Sequence, residues 1–303
     1  MQKNTLKSGI EISEVGLGCM SLGTDINHAE TIVDEAIKQG ITYFDTADLY
    51  DYGENEKIVG QLLKKYQNQQ DIVIGSKVGN HFDKDKQEHF WDPSKEHIMK
   101  SIKESLQRLD LEQLDLYMLH GGTIEDNKDE TIEAFERLKE QGLIKAYGIS
   151  SIRPNVIDYY LKNSNIETIM MQFSILDNRP ESLLEKINEH GVKILARGPV
   201  SKGLLTHKSN EVLDRKFKDG LLEYNYNDLS DTIYQLNKEY DDLSSVTFSY
   251  LKSFDALGSI ITGASSPEQL AESIRSYNGT LSEDQIKHAR SIVKNIEYTN
   301  HLQ

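Results

Sequence analysis

The chain has 303 residues, 37% of them hydrophobic and 27% charged, with 49 acidic and 34 basic side chains giving a formal net charge of −15. That balance describes a folded globular protein, and its acidity disfavours nucleic acid and anionic membrane surfaces, which repel like charge over a Debye length. Apolar runs such as IVIGSKVG are far shorter than the roughly 20 residues that span a bilayer. No apolar segment follows the lysines of MQKNTLKSG, and the single Cys19 excludes an internal disulfide framework or an all-cysteine metal site. Together these point to a reducing, cytoplasmic setting.

In chain order, short β-rich runs alternate with amphipathic helical runs. The strands read as 15–20, 41–46, 72–78, 114–120, 144–150, 167–173, 192–198 and 257–263. Most are nearly continuous apolar stretches, the pattern of parallel strands covered on both faces. Between them, 29–40 has helical spacing with Gly40 as its stop, and Ser94 caps a helix with His97 in the capping-box position. Residues 129–142, 154–162, 181–190 and 267–276 continue the helical set. Two stretches break the alternation: a long insertion at 199–228 after the seventh strand, and a tail at 281–298 that reads as an extra helix capped by Ser282. Five prolines and no linker-like segment leave one domain, 1–303. Eight strands alternating with helices favour a closed (β/α)8 barrel, with an additional C-terminal helix and a long loop after strand seven. The competing doubly wound sheet wants a GxGxxG running into a helix, and GLGCMSLG is not followed directly by one.

In a barrel, the C-terminal ends of the strands hold the site. Asp45, Tyr50, Lys77 and His120 all fall there. Singly, each is most simply a solvated or structural residue; adjacent strands bring all four to one mouth. An ammonium beside a phenol favours tyrosinate, and Asp45 can fix that ammonium by a charge-assisted hydrogen bond. His120 can polarise an oxygen that also touches Tyr50. The set suits donation of a proton to a developing alkoxide, with Tyr50 as general acid. No nucleophile paired with a base is evident for acyl transfer, and no ligand cluster for metal hydrolysis. Asp48 reads as a loop residue, and packing of Tyr50 on Tyr52 is its structural alternative.

Four motifs in order make the chain resemble the aldo-keto reductase family over nearly its whole length. FDTADLYDYGENEKIVG is similar to the family's strand-two signature, IGSKV to its lysine motif and LDLYMLH to its histidine motif. LKEQGLIKAYGISS resembles the stretch leading to the cofactor carboxamide. The resemblance implies a (β/α)8 barrel that reduces aldehydes and ketones reversibly with NADPH and without metal. It implies carboxamide contacts from Ser150, Ser151 (where relatives usually carry asparagine) and Gln172. Arg197 stands where many members stack an aromatic ring; a buried cation there would bias the complex towards the reduced cofactor. Gly198, Pro199, Val200, Ser201, Gly203 and Leu204 would surround the pyrophosphate. Gly263, Ser265, Gln269, Glu272 and Ser273 would form the adenosine clamp, with Cys19, Met20 and Asp45 as further cofactor contacts. The clamp has Ser265, Ser266 and Gln269 where relatives often place a cation for the 2′-phosphate, with Arg275 further along, so NADH stays open beside NADPH. Small residues in HGGTIEDN, after His120, would open the substrate pocket.

Three readings follow. The first is an NADPH-dependent reductase of a small carbonyl compound. The second is a regulatory protein sensing NADPH/NADP+ on the same barrel with slow turnover. The third, a sugar-phosphate isomerase, is weakened by the lack of glutamates at the strand ends. Loops 80–92 and 201–228 would build the pocket; Trp91, Phe82 and Phe90 either line it or pack an ordinary loop. The sequence carries no signature of a particular substrate or oligomeric state.

Overall fold

A computed structural model describes residues 1–67, 71–83 and 85–302. Eight parallel strands close into a barrel: β1 (Val15–Gly18), β2 (Tyr43–Asp45), β3 (Val73–Val78), β4 (Leu114–Leu119), β5 (Ile144–Ser150), β6 (Thr168–Gln172), β7 (Lys193–Arg197) and β8 (Leu257–Thr262). Each pairs with its successor, and β8 returns to β1 through Ile260↔Val15 and Thr262↔Leu17. All eight expected strands are present, mostly shortened at their ends; the stretch Cys19–Leu22 leaves β1 and coils into a 3-10 turn.

The strand residues divide between two cores, because successive side chains face opposite sides. Tyr43, Leu116, Met118, Met170 and Leu195 fill the barrel interior. Phe44, Ile74, Tyr117, Leu119 and Ile169 face the surrounding helices. The interior is closed at the strands' N-terminal end by a hairpin, Lys3–Thr5 against Glu11–Ser13, whose Leu6 and Ile12 join the inner cluster. The Ser13 hydroxyl accepts from the backbone N–H groups of Thr42 and Tyr43 and donates to Val15, holding this plug to β1 and β2.

The helices are α1 (Ile26–Lys38), α2 (Glu54–Leu63), α3 (Lys95–Leu109), α4 (Lys128–Glu140), α5 (Pro154–Asn163), α6 (Leu184–Glu189), α7 (Ser209–Lys216), α8 (Tyr226–Glu239), α9 (Leu243–Lys252), α10 (Pro267–Asn278) and α11 (Glu283–Ile292). Asp25 caps α1 through the Asn27 and His28 amides, and Gly40 follows it at φ +82°. Ser94 caps α3 as expected, but the His97 ring turns to Ser101 Oγ instead of reaching back. The tail helix carries a full capping box between Ser282 and Gln285. Two expectations are corrected. The insertion 199–228 is only partly loop: it contains the turn Ser201–Gly203, α7 and the start of α8. Within the expected loop 80–92, Asn80–Asp83 pairs antiparallel with Glu88–Trp91. Helices α8 and α9 lie mostly between the insertion and the eighth strand, a stretch to which the sequence reading gave no element.

Candidate active site

Strand alternation places Tyr43 and Asp45 on the inner face of β2 and Lys77 on that of β3. Lys77 is fully buried and Asp45 is 3% exposed. The Lys77 ammonium donates to Asp45 Oδ2 at 2.6 Å, to the Thr46 carbonyl at 2.8 Å and to Tyr50 Oη at 3.4 Å. Burial is the largest influence on Lys77 and opposes its charge. Asp45 and Tyr50 outweigh it, and the lysine pKa is raised. Burial pushes the Asp45 carboxyl up, while the adjoining ammonium favours its ionised form. Sequence reasoning missed Tyr43, two residues before Asp45 on the same face. Its phenol donates to Asp45 Oδ1 at 3.4 Å, and burial, then Asp45, keep it protonated. Its ring fits because Gly16 and Gly75 flank it; a Cβ on either would stand 2.7 or 2.6 Å from Tyr43 atoms.

Tyr50 follows β2 in a turn whose next three residues, Asp51, Tyr52 and Gly53, have φ of 48°, 52° and 87°. Left-handed backbone is natural for glycine, whereas each non-glycine residue held there costs about 1–3 kcal/mol and persists only where surroundings impose it. The Tyr50 ring meets His120 edge-on, centroids 5.8 Å apart, with Lys77 Nζ 5.1 Å from its centre. Packing of Tyr50 on Tyr52 is not what forms; Tyr52 turns to Phe82. His120 ends β4, its amide donating to Val78 at 2.6 Å. Burial, then the charges of Lys77 and Arg197, lower its pKa to about 3, so the imidazole is neutral. Its Nδ1 is buried without a partner among the described residues.

Ser150, Gln172 and Arg197 end the neighbouring strands β5, β6 and β7, all half-buried. Arg197 ends β7 at the same end of the parallel barrel as Asp45 and His120, and its charge acts on both. It also acts on Tyr298, a tail residue that sequence reasoning did not single out, whose hydroxyl has no partner among the described residues. Ser151 is buried; its amide donates to Met170 and its hydroxyl accepts from Arg153. Cys19 buries its thiol completely and its carbonyl accepts from Asn55, whereas Met20 is 62% exposed.

After β7, Gly198 is exposed, and a Cβ there would meet nothing within 4 Å. Pro199 and Leu204 are buried and Val200 is half-buried. The amides of Ser201, Gly203 and Leu204 donate within the turn to Gly198, Val200 and Ser201, and the Ser201 hydroxyl meets that of Ser174. An exposed cation, Lys202, sits in this turn; the motif SKG carried that signal and it went unread. After β8, Gly263 is exposed, and Ser265 gives both its amide and hydroxyl to Gln269 Oε1, its carbonyl lying 2.9 Å from His28 Nε2. Ser266 caps α10 and Ser273 donates to the Gln269 carbonyl. Arg275 lies in the last turn of that helix, away from the cap. Glu272 pairs with His207 at 2.7 Å, joining the loop after β7 to α10.

The space beside His120 is filled. Gly79 and Gly121 form a seat for the Trp91 indole: a Cβ on either would stand 2.6 or 3.2 Å from its ring carbons. The indole N–H donates to Asp126 at 3.0 Å. Across the mouth, the Tyr52 hydroxyl donates to Gln87. The hairpin 80–91 is thereby tied to both the Tyr50 turn and the loop after His120. Of the two glycines in HGGTIEDN, Gly121 seats the tryptophan, whereas Gly122 lies against Val156 and Leu119.

The cluster of Asp45, Tyr50, Lys77 and His120 sits where a (β/α)8 enzyme keeps its chemistry, and comparison with known proteins agrees. The pattern described as Aldo/keto reductase family matches residues 14–294. The protein named uncharacterized oxidoreductase YqkF, from Bacillus subtilis, is 50% identical over 99% of both chains. The NADH-specific methylglyoxal reductase of Escherichia coli is 28% identical, covering 95% of this chain and 97% of its own. Among solved structures, the holo form of aldo-keto reductase AKR11C1 from Bacillus halodurans superposes over the whole of both chains with TM-score 0.93 at 44% identity; its apo form gives 0.84. With the barrel, the mouth and these relatives in agreement, the chain belongs to the aldo/keto reductase family of oxidoreductases.

Proposed function

We propose that the protein reduces a small aldehyde or ketone to the alcohol with NADPH, Tyr50 supplying the proton. The observation that carries this reading is Lys77, fully buried between the Asp45 carboxylate and the Tyr50 hydroxyl. A reduced nicotinamide, when bound, supplies the hydride. Tyr50 then donates to the carbonyl oxygen as negative charge grows on it, and the Lys77 ammonium stabilises the phenolate left behind. Asp45 holds that ammonium and Tyr43 holds Asp45. Neutral His120 offers one N–H to the same oxygen and so orients the carbonyl without adding a second positive charge.

The residues present fit a dinucleotide. Ser150, Ser151 and Gln172 offer hydroxyl and amide groups to a carboxamide. Gly198 leaves open ground beside backbone, and Lys202 adds a cation for the pyrophosphate. Ser265, Ser266 and the N-terminus of α10 favour the 2′-phosphate, with Gln269, Glu272 and Ser273 alongside. Cys19 and Met20 extend the contacts from β1, Met20 with its side chain, Cys19 through backbone alone. Trp91 narrows the mouth, which suits a short carbonyl compound of the kind named for the Escherichia coli relative.

The test follows cofactor absorbance with a panel of aldehydes at fixed pH, comparing wild type with Tyr50→Phe and NADPH with NADH. Turnover that the substitution abolishes, with higher kcat/KM for NADPH, is expected. Cofactor binding with no turnover on any aldehyde would replace the enzyme by a dinucleotide sensor; preference for NADH would replace the cofactor.

A further inference from the structure

Beneath the Tyr50 turn lies a group of charges that the proposed proton transfer does not use. Arg108, on α3, donates from Nε to Glu56 Oε2 at 2.6 Å and from Nη2 to Ser105. The Glu56 side chain is wholly buried and that of Arg108 is 15% exposed. The other Glu56 oxygen accepts from Ser76 Oγ at 2.5 Å, one residue before Lys77 on β3. The Arg108 stem lies directly under Gly53, where a Cβ would stand 2.9 Å from Cδ and 3.1 Å from Nε. Glu56 is in the first turn of α2, which opens straight from the left-handed run 51–53. Asp48 completes the group. It lies in the loop after β2, as read from sequence, but is 1% exposed; its amide donates to the Lys77 carbonyl, and its Oδ1 has no partner among the described residues. Burial, then the neighbouring Glu56, push its carboxyl pKa up.

We propose that the Arg108–Glu56 pair is a positioning device that sets the Tyr50 hydroxyl at its distance from the Lys77 ammonium. The inference rests on the reading of Tyr50 as proton donor. Arg108 supports the turn from below at Gly53, where only hydrogen fits. Glu56 ties that support to β3 through Ser76. Three consecutive left-handed residues would relax to commoner backbone if the support were removed, and the phenol at the head of the turn would move with them. A buried ion pair is weak evidence of stability by itself, since desolvation offsets its attraction. Geometric control of the turn gives this one a use that apolar packing would not supply.

The test is the double variant Arg108→Met/Glu56→Gln, which removes both charges together and leaves no orphaned carboxylate. Expected is a loss of kcat of about tenfold or more, with aldehyde KM and NADPH dissociation constant within about twofold of wild type, as for an interaction felt chiefly in the transition state. The acid–base limbs of the kcat–pH profile should shift, which loss of packing alone would not produce. Arg108→Lys, lacking the planar guanidinium, should not restore kcat. Ser76→Ala cuts only the link to β3 and serves if the double variant does not fold; it should lower kcat and move the same limbs. A folded double variant with wild-type kcat and pH profile, or an unaltered Ser76→Ala, overturns the proposal. Tyr50→Phe is measured in parallel. If it stays active, the proton-donor reading falls and this inference with it; if it is inactive while the Arg108 variants are unchanged, only this inference falls.

Discussion

The indole of Trp91 lies against Gly121, where an added Cβ would stand 3.2 Å from the ring, at a backbone φ of +145°. Gly121 directly follows His120, so the tryptophan forms a wall close to the group proposed to orient the carbonyl. Trp91→Ala should raise kcat/KM for branched or aromatic aldehydes relative to short ones by about tenfold, or roughly 1.4 kcal/mol of discrimination. An unchanged ratio across the panel would remove Trp91 from the pocket.

Gly121→Ala tests the seat itself. The substitution imposes a side chain on a left-handed conformation and crowds the ring, so a loss of about 1–3 kcal/mol in stability is expected. Urea denaturation of wild type and variant measures it.

Lys77→Met removes the cation that Asp45 faces in a dry interior. Breaking such a pair costs about 3–5 kcal/mol when the partner is left behind, and activity should fall with it. Asp45→Asn/Lys77→Met should recover stability without activity. A double variant that regained turnover would mean that the ammonium is structural only.

His120 sets a pH window. Its pKa falls from 6.5 to about 3 on folding, chiefly by burial, then through Lys77 and Arg197. The unfolded chain binds this proton below pH 6.5 and the native chain does not, so the contribution is fully present above that value. It is lost as the pH falls from 6.5 towards 3, by at most about 1.4 kcal/mol per unit. The stability of His120→Phe should depend less on pH across that window; parallel curves for variant and wild type would refute this.

Arg197→Tyr probes the cation beside the proposed nicotinamide site. Wild type should bind the reduced cofactor more tightly relative to the oxidised form than the variant does. Dissociation constants for both redox forms give the ratio, and an equal ratio in the two proteins would dismiss the electrostatic role.

The barrel was legible because parallel strands buried on both faces leave near-continuous apolar runs, and all eight stood at the expected places. Asp45, Lys77 and His120 were legible for a related reason: each interrupts or ends such a run at the strands' C-terminal end, where an ionisable group needs explanation, and Tyr50 stands in the loop that directly follows Asp45. What the amino-acid order alone determined was therefore the fold and the convergence of these four residues at one mouth. Tyr43 was hidden inside an apolar run, since a tyrosine there is indistinguishable from core until its hydroxyl finds Asp45. Gly121 looked like vacated space until Trp91, thirty residues upstream, filled it. Arg108 and Glu56 looked like ordinary helix charges until α2 and α3 packed face to face and buried them beneath Gly53. Only the tertiary structure decided these, because side-chain volume and charge pairing are contacts between elements, and a linear pattern records the period of each element without its neighbours.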